Sequence, residues 1–245
     1  MIALFTDYGL KGPYLGQVEA ALHRLLPDEK VINLLADAPR NNPRASAHLL
    51  AAFSRACAAQ PGTIFFAVVD PGVGSFRDTP VVIKADGQWY VGPDNGLFDI
   101  VCRRSSGVQC WRIDWRPETL SASFHGRDLY APAAAMIRKN EIPGETMTWE
   151  DRHGWPDDLE EIVYIDHFGN CMTGTRAEML DNANEIQVGS ITIPFAHTFS
   201  SVPGGVAFWY RNSQGLIEIA VNGGSAAEQL KLEIGTETCI PASVE

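Results

Sequence analysis

The sequence predicts an α/β N-terminal domain with a mainly parallel central sheet, followed by a small all-β barrel C-terminal domain. Strand and helix patterns alternate up to residue 69, an order that implies right-handed crossovers between parallel strands. From residue 162 onward, short strand patterns follow one another with Gly, Pro and Asn between them. A polar, acidic stretch bearing Trp and Pro separates the two patterns. We therefore predict domains at 1–146 and 161–245, joined by a linker at 147–160.

The elements of the predicted first domain follow from the spacing of its apolar residues. Short β-branched and aromatic runs predict strands at 2–5, 31–35, 63–69, 80–85, 89–91 and 109–113. One-sided apolar spacing, or a cap such as Asn42 before Pro43, predicts helices at 14–26, 43–59, 96–101 and 129–139. Asp86-Gly87 predicts a tight hairpin between the fourth and fifth strands.

The predicted second domain is built from short strands. Their patterns lie at 162–165, 171–175, 185–193, 206–210 and 216–221. Ser225 followed by Glu228 has the spacing of a capping box, which predicts one short helix.

Composition excludes several classes of partner. The net charge of −11, with no run of Lys or Arg, argues against binding to a phosphate backbone and favours a small or cationic ligand. No apolar run approaches the length of a membrane span. Five scattered cysteines without a Cys-x-x-Cys pair indicate reduced thiols. The sequence starts directly with a strand pattern and shows no signal-peptide pattern there. We expect a cytoplasmic protein.

The third predicted strand ends in the segment Asp70-Pro-Gly-Val-Gly-Ser-Phe-Arg77. Ligands of open α/β sheets bind beyond the carboxyl ends of the strands, so Asp70 and Arg77 are placed for chemistry. Gly72 and Gly74 let the backbone turn sharply and approach a bound molecule closely. A tight turn capped by an Asp–Arg ion pair is the structural alternative.

Two further turns of the first domain carry candidate residues. Asp7 follows the first strand, in the same layer as Asp70, where a carboxylate can accept both hydroxyls of a ribose diol. The glycine-rich phosphate motifs are missing, so a nucleoside ligand would carry no di- or triphosphate. His125, beside Gly126, can carry a proton near neutral pH. Arg127 and Asp128 are expected to pair with each other or to cap the following helix.

In the second domain, Asp166, Phe168 and Asn170 combine an acid, an aromatic face and an amide. Such groups can hold an ammonium, stack on a heterocycle and bind the edge of a base. The turns at 212–215 and 222–224 are either structural or part of the same site. The histidines form no metal-spaced pair with one another or with cysteine, so we expect no bound metal.

These motifs together resemble one family. FTDYG, DPGVGSFR, VGPDNGLF, FHGRD, IDHFGN and NSQGLIEIAVNGGSAAEQL occur in the order found in the S-adenosyl-L-methionine hydroxide adenosyltransferases, which are adenosine-forming hydrolases related to the bacterial fluorinase and chlorinase. The resemblance implies an α/β domain, a β-barrel domain and a homotrimer whose substrate lies between the first domain of one subunit and the second domain of its neighbour. It implies S-adenosyl-L-methionine as substrate and no cofactor or metal.

The resemblance also assigns roles to individual residues. The catalytic triad of the family falls on Asp70, Arg77 and His125. The implied substrate contacts are Asp7 for the ribose diol, Phe168, Asn170 and the Gly223 backbone for adenine, Asp166 and Ser213 for the methionine end, and Phe124 from the FHGRD motif. Gln214 stands where the halogenases have an arginine, which leaves the partner of the substrate carboxylate open.

Three alternatives remain at this point. A halide-using transferase is disfavoured because halogenases carry tyrosines in place of Asp70 and His125, and the fluorinase carries a serine in place of Gly126. A non-catalytic adenosine or sulfonium sensor would not need the triad. A metal-dependent hydrolase could use a carboxylate–histidine set, namely Asp7, Asp70, Asp94, His125 and Asp128.

Overall fold

The computed structural model describes residues 1–57, 61–75 and 79–240. The chain divides into two compact units, Met1–Trp155 and Pro156–Glu245. No helix in the described part of the chain is both long enough and apolar enough to cross a membrane.

The first unit is built on one seven-stranded sheet, whose strand order is β2-β1-β3-β5-β4-β6-β7. Its strands are β1 (Ile2–Thr6), β2 (Val31–Leu35), β3 (Ile64–Val68), β4 (Pro80–Ala85), β5 (Gln88–Pro93), β6 (Val108–Ile113) and β7 (Gly144–Met147). Strands β2, β1, β3 and β5 are parallel neighbours, whereas β5, β4, β6 and β7 are antiparallel neighbours. The α/β prediction is confirmed, with a mixed sheet.

The change from parallel to antiparallel pairing has a local cause. Asp86 and Gly87 have φ values of +46° and +78°, the left-handed conformation that a two-residue hairpin requires. The turn pairs β5 with β4 in antiparallel fashion, which starts the antiparallel half of the sheet. The edge strand Gly144–Met147 was not predicted, because its residues are half-buried or exposed and show no apolar alternation.

Four α-helices accompany this sheet: α1 (Tyr14–Leu25), α2 (Pro43–Cys57), α3 (Asp99–Arg103) and α4 (Ala131–Arg138). The predicted Asn42 cap is present, since its side-chain oxygen accepts the Ala45 N–H at 3.0 Å. The last two residues predicted for α2, at 58–59, lie outside the described residues. Helix α4 continues from a π-helical turn, Gly126–Tyr130, so the helical region starts earlier than expected.

The central strands of this unit form one side of the hydrophobic core. All five residues of β1 and of β3 are buried, and α1 and α4 cover one face of them with Val18, Leu22 and a row of alanines. Because β1 and β3 are parallel, the turns that follow them lie side by side at the same edge of the sheet.

Of the linker predicted at 147–160, residues 151–155 pack on the first unit, while residues 156–160 belong to the second. Arg103 pairs with Asp151 at 2.5 Å, and the His153 ring lies 2.7 Å from the buried Asp99 carboxylate. Gly96 permits this arrangement, because a Cβ there would overlap the Trp155 ring.

The second unit consists of antiparallel strands. A four-stranded sheet has the order β12-β13-β9-β8, and β10 pairs with β11 in a separate hairpin. The strands are β8 (Leu159–Ile165), β9 (Cys171–Arg176), β10 (Ile186–Val188), β11 (Ile191–Ile193), β12 (Ala207–Arg211) and β13 (Leu216–Val221), followed by α5 (Ala226–Leu230). The region predicted as one strand at 185–193 is this hairpin, turned at Gly189 with φ +58°. Helix α5 has the predicted Ser225 cap.

Candidate active site and ligand pocket

Asp7 lies directly after β1, at the carboxyl end of the strand. Its Oδ2 accepts the N–H of Asn41 at 2.9 Å. Burial raises the pKa of Asp7, while that hydrogen bond and the Arg40 charge act in the opposite direction. A half-buried carboxylate held by a backbone donor is suited to accept hydrogen bonds from a ligand.

Asp70 lies at the same edge of the sheet as Asp7. Strands β1 and β3 are parallel, and Thr6 stands opposite Val68, so the two carboxylates follow neighbouring strand ends. The Oδ1 of Asp70 accepts the Gly72 N–H at 3.0 Å, which closes a tight turn over the next residues. The sequence therefore predicted the edge correctly.

The Asp70 turn packs against the segment that leads to His125. Gly74 has φ +79°, and a Cβ at this position would overlap the Ala122 carbonyl oxygen. Glycine is needed here for a close approach of backbone to backbone. This approach brings the Asp70 turn beside the segment that carries Phe124 and His125.

His125 immediately precedes the π-helical turn. Burial and the nearby Arg116 charge lower the pKa of His125, whereas Asp128 raises it. The imidazole is therefore held neutral near pH 7 and can accept a proton. Arg127 and Asp128 form the predicted pair, with contacts of 2.6 and 2.9 Å, and Arg127 also donates to the Gln17 side-chain oxygen at 2.8 Å.

An aromatic cluster connects these turns. The ring of Tyr8, the residue after Asp7, meets Phe124 edge-on with centroids 5.8 Å apart, and Tyr14 meets Phe124 at 5.2 Å. Phe124 is only 8% exposed, so its ring belongs to the core directly before His125. Sequence reasoning did not select Tyr8, although the FTDYG motif contains it.

The structure brings together the turns that carry Asp7, Asp70 and His125. The third member of the predicted triad, Arg77, lies outside the described residues. The catalytic assignments therefore stay predictions, supported by the neighbourhood of the three described turns.

The second unit contains a cavity of about 630 Å³, which is within the usual range for small-molecule sites. Four residues predicted from the sequence contribute to its walls, namely Asp166, Phe168, Asn170 and Gly223. Gly224, from the turn at 222–224 that the sequence left open, also lines it, and sequence reasoning missed three others, namely Phe199, Tyr210 and Val221.

Asp166 organises one wall of this cavity. Its Oδ1 accepts the N–H groups of Phe168 at 2.8 Å and Asn170 at 2.9 Å, and its Oδ2 accepts the Asn170 side-chain amide at 3.0 Å. The Phe168 side chain at the tip of this loop is 74% exposed. An exposed ring on a hydrogen-bonded loop offers a flat face to a planar ligand.

A second carboxylate, which is buried, holds Tyr210, one of the residues that line the cavity. Glu218 accepts the Tyr210 hydroxyl at 2.6 Å and the Asn212 amide at 2.8 Å. The Asn212 Oδ1 in turn accepts the N–H groups of Gln214 at 3.0 Å and Leu216 at 2.9 Å, which fixes the turn containing Ser213. Ser213 itself is exposed and is not among the residues lining the cavity.

Metal-binding geometry was sought among the acidic, histidine and cysteine side chains. Within the ranges 1–57, 61–75 and 79–240, no three such side chains are grouped as metal ligands. The described thiols are free, and burial raises the pKa of Cys110 and that of Cys171 to about 12.

Comparisons with known proteins agree with the motifs. Sequence models of the SAM hydroxide adenosyltransferase N-terminal and C-terminal domains match residues 2–147 and 160–239. A Thermus thermophilus protein named (R)-S-adenosyl-L-methionine hydrolase is 34% identical over 96% of each chain. A protein of the same name from Salinispora arenicola is 31% identical over 98% of this chain and 97% of its own.

Two solved structures have the same fold as this chain. A crystal structure of an uncharacterized conserved protein from Thermotoga maritima superimposes with a TM-score of 0.86 at 29% identity, covering 99% of this chain and 100% of the other. A conserved hypothetical protein from Thermus thermophilus gives a TM-score of 0.77 at 31% identity, over 98% of this chain and 99% of the other. The resemblance predicted from the motifs is confirmed, and the chain belongs to the SAM hydroxide adenosyltransferase family.

Proposed function

We propose that this protein hydrolyses S-adenosyl-L-methionine to adenosine and L-methionine. One observation carries the proposal: the turns bearing Asp7, Asp70 and His125 gather at one sheet edge in a chain of this family. The relatives named (R)-S-adenosyl-L-methionine hydrolase support the same substrate and reaction.

The reaction forms a bond between a water oxygen and C5′ of the ribose while the bond from C5′ to the sulfonium sulfur breaks. The electron pair of that bond goes to sulfur, which leaves as the neutral thioether of methionine. Water is a weak nucleophile, so it needs a base and an in-line position. Because an anion-like nucleophile meets a cation, a poorly hydrated site favours the transition state.

Asp70 and His125 are the proposed pair that orients this water and receives its proton. The lowered pKa of His125 supports the role, because a neutral imidazole can act as a base. Arg77 is proposed to stabilise hydroxide character and to keep Asp70 ionised.

The other predicted residues are proposed to hold the substrate. Asp7 would accept the ribose hydroxyls, and Phe124 would contact substrate from beneath the His125 turn. Phe168, Asn170 and the Gly223 backbone would bind adenine, which their places around the 630 Å³ cavity support.

Asp166 and Ser213 are the proposed contacts for the methionine end. Three hydrogen bonds occupy Asp166, and a carboxylate has about four lone-pair positions, so one position stays available for an ammonium group. Asp166 would then bind substrate and shape its loop at the same time.

The assembly proposed from the family resemblance is a homotrimer with each active site between subunits. Mixing Asp70→Ala subunits with Phe168→Ala/Asn170→Ala subunits tests it, because some mixed interfaces would combine two intact halves. We expect about a quarter of the wild-type activity from an equal, fully exchanged mixture. Activity no higher than that of the separate variants would contradict a shared site.

The second unit is proposed to close as a small barrel. Single bridges support closure, because Glu161 pairs with Glu237, Gln187 with Cys239, and Phe195 with Trp209. Through these bridges the segment at 237–239 contacts both β8 and β10, and Phe195, two residues after β11, contacts β12.

We also propose that the enzyme acts in the cytoplasm and uses no cofactor. Its net charge of −11 supports a small cationic substrate in preference to a nucleic acid. Undiminished turnover in excess EDTA would exclude the metal-dependent alternative.

Incubation with S-adenosyl-L-methionine in ¹⁸O-labelled water tests the reaction and its nucleophile together. We expect adenosine carrying one label on the 5′ oxygen, identified by mass spectrometry. The same incubation with added chloride or fluoride is the control for the halide alternative. Formation of 5′-halo-adenosine, or tight binding without turnover, would overturn the proposal.

A further inference from the structure

Tyr8 occupies a central place among the three turns of the first unit. It follows Asp7 in the chain, and its ring packs against Phe124 with centroids 5.8 Å apart. Burial raises the pKa of Tyr8, and the carboxylates of Asp7 and Asp70 raise it further. The phenol therefore keeps its proton and presents a neutral hydroxyl beside two carboxylate-bearing turns.

The hydroxyl of Tyr8 also meets the His125 turn. A Cβ built at Gly126 would overlap the Tyr8 hydroxyl oxygen, with the Tyr8 Cζ at 3.1 Å and the Phe124 Cε2 at 3.4 Å. The requirement for glycine here is one of space. Gly126 begins a π-helical turn, and its φ lies outside the left-handed region, so its backbone would accept alanine.

We propose that Tyr8 is a positioning residue for the hydrolysis. Its hydroxyl packs directly against the Cα of Gly126, where any side chain would collide with it. This contact sets how closely the His125 turn approaches the turns of Asp7 and Asp70. The inference rests on the proposed function. A displacement of about 1 Å in a reacting group can cost on the order of 10²-fold in rate, so the contact controls the chemical step.

A double-mutant cycle of Tyr8→Phe and Gly126→Ala tests this contact. We expect Tyr8→Phe to lower kcat by about tenfold with KM within about twofold, since only the hydroxyl is lost. Gly126→Ala should lower kcat by about 10²-fold, because the new methyl group pushes the hydroxyl and the His125 turn apart.

The double variant is the decisive measurement. Without the hydroxyl, the nearest neighbours of the new methyl group would be the Cζ of residue 8 at 3.1 Å and the Phe124 Cε2 at 3.4 Å, contacts that a small shift relieves. We therefore expect the double variant to be more active than Gly126→Ala alone, by about threefold or more. Losses that simply multiply would show that the two groups do not interact and would overturn the inference.

Matched controls separate positioning from packing. Tyr14→Phe removes a hydroxyl from the same aromatic cluster, and Gly16→Ala adds a methyl group where no atom lies within 4 Å of the Cβ. Both should keep wild-type kcat. A Tyr8→Phe variant with wild-type kcat would also overturn the inference.

Thermal unfolding of the same four proteins gives a readout that does not depend on turnover. The double variant should melt above Gly126→Ala, because the overlap is relieved. If the wild type makes no adenosine, the proposed function fails. If it makes adenosine but the cycle is additive in rate and in melting temperature, only the positioning role of Tyr8 fails.

Discussion

The two units use carboxylates in different ways. In the first unit, Asp7 and Asp70 follow neighbouring strand ends, and their side chains accept backbone N–H groups of Asn41 and Gly72. In the second unit, Asp166 and Glu218 bind side chains and backbone that form the cavity wall, with three and two hydrogen bonds respectively.

This difference separates two kinds of residue. A carboxylate at a strand end can serve the reaction, because ligands of open α/β sheets bind beyond the carboxyl ends of the strands. A carboxylate that anchors a wall serves binding and stability together, because its loss leaves buried donors without a partner. Substitution of Asp70 should therefore change the rate, substitution of Asp7 should mainly weaken substrate binding, and substitutions in the second unit should change binding and stability.

The largest expected effect is that of Asp70→Ala on the chemical step. Loss of a positioned acid–base group should lower the single-turnover rate constant by about 10²–10⁴-fold, and His125→Ala should lower it by a similar factor. The melting temperature should change by only a few degrees. Asp114→Ala, which removes an exposed carboxylate from the same unit, is the control. Wild-type turnover by Asp70→Ala would refute the mechanism even if the product is adenosine.

Glu218→Ala should produce the largest loss of stability. Glu218 is 2% exposed, and the substitution leaves the Tyr210 hydroxyl and the Asn212 amide without their acceptor. We expect a loss of about 1–3 kcal/mol in the free energy of unfolding, measured in urea, and a higher KM. Glu160→Ala, at an exposed position of β8, should change neither quantity. A stable variant with an unchanged KM would remove the distinction between the two units.

Phe168→Ala should weaken binding without affecting stability, because its ring is 74% exposed. Stacking of a base on an aromatic ring contributes about 1–3 kcal/mol, so we expect the Kd for adenosine to rise by roughly tenfold in calorimetry. Met179→Ala removes another exposed apolar side chain of the same unit and should bind adenosine normally. Normal binding by Phe168→Ala would exclude Phe168 as the stacking residue.

The sequence predicted those parts of the molecule that depend on local pattern. A continuous apolar run identified β3, and the parallel order placed Asp7 and Asp70 at one edge. Tyr210 and Glu218 were missed because their contact is made across two strands, where Tyr210 stands opposite Glu218. Counting outward from the turn at Asn212 would have found this pair.

Other features required tertiary contacts that no local pattern carries. A Cβ at Gly74 would overlap the Ala122 carbonyl oxygen, and a Cβ at Gly126 would overlap the Tyr8 hydroxyl oxygen, two contacts between segments distant in sequence. The edge strand β7 has no apolar alternation because it buries little surface.

The pH dependence of stability provides a finer test of Glu218. Burial raises the pKa of Glu218 in the folded protein, and the charge of Asp166 also raises it, while the hydrogen bonds from Tyr210 and Asn212 lower it. The folded state therefore binds the proton more tightly than the unfolded state. This contribution is complete below the ordinary pKa of glutamate and is lost as the pH rises through the raised value.

Glu218→Gln cannot titrate, so it isolates this contribution. As the pH rises from the ordinary pKa of glutamate through the raised pKa, the free energy of unfolding of the wild type should fall relative to that of Glu218→Gln, by at most about 1.4 kcal/mol per pH unit. Urea titrations of both proteins at several pH values measure the difference. A difference that is constant with pH would show that Glu218 titrates normally.

The smallest expected effect concerns Ser225, which caps helix α5 beside the loop from Asp166 to Asn170. Its hydroxyl caps α5 by accepting the Glu228 N–H at 3.2 Å, and the Ala227 N–H donates to the Gly169 carbonyl at 3.0 Å. Ser225→Ala should cost about 1 kcal/mol in the free energy of unfolding, as lost caps do, while Ser225→Asp keeps an acceptor and should cost less. Because the loop is also held by Asp166, we expect kcat to stay at the wild-type value and KM to change by less than about twofold. A fall in kcat would mean that the wall residues of the second unit act on the chemical step as well, and the separation between rate and binding would not hold.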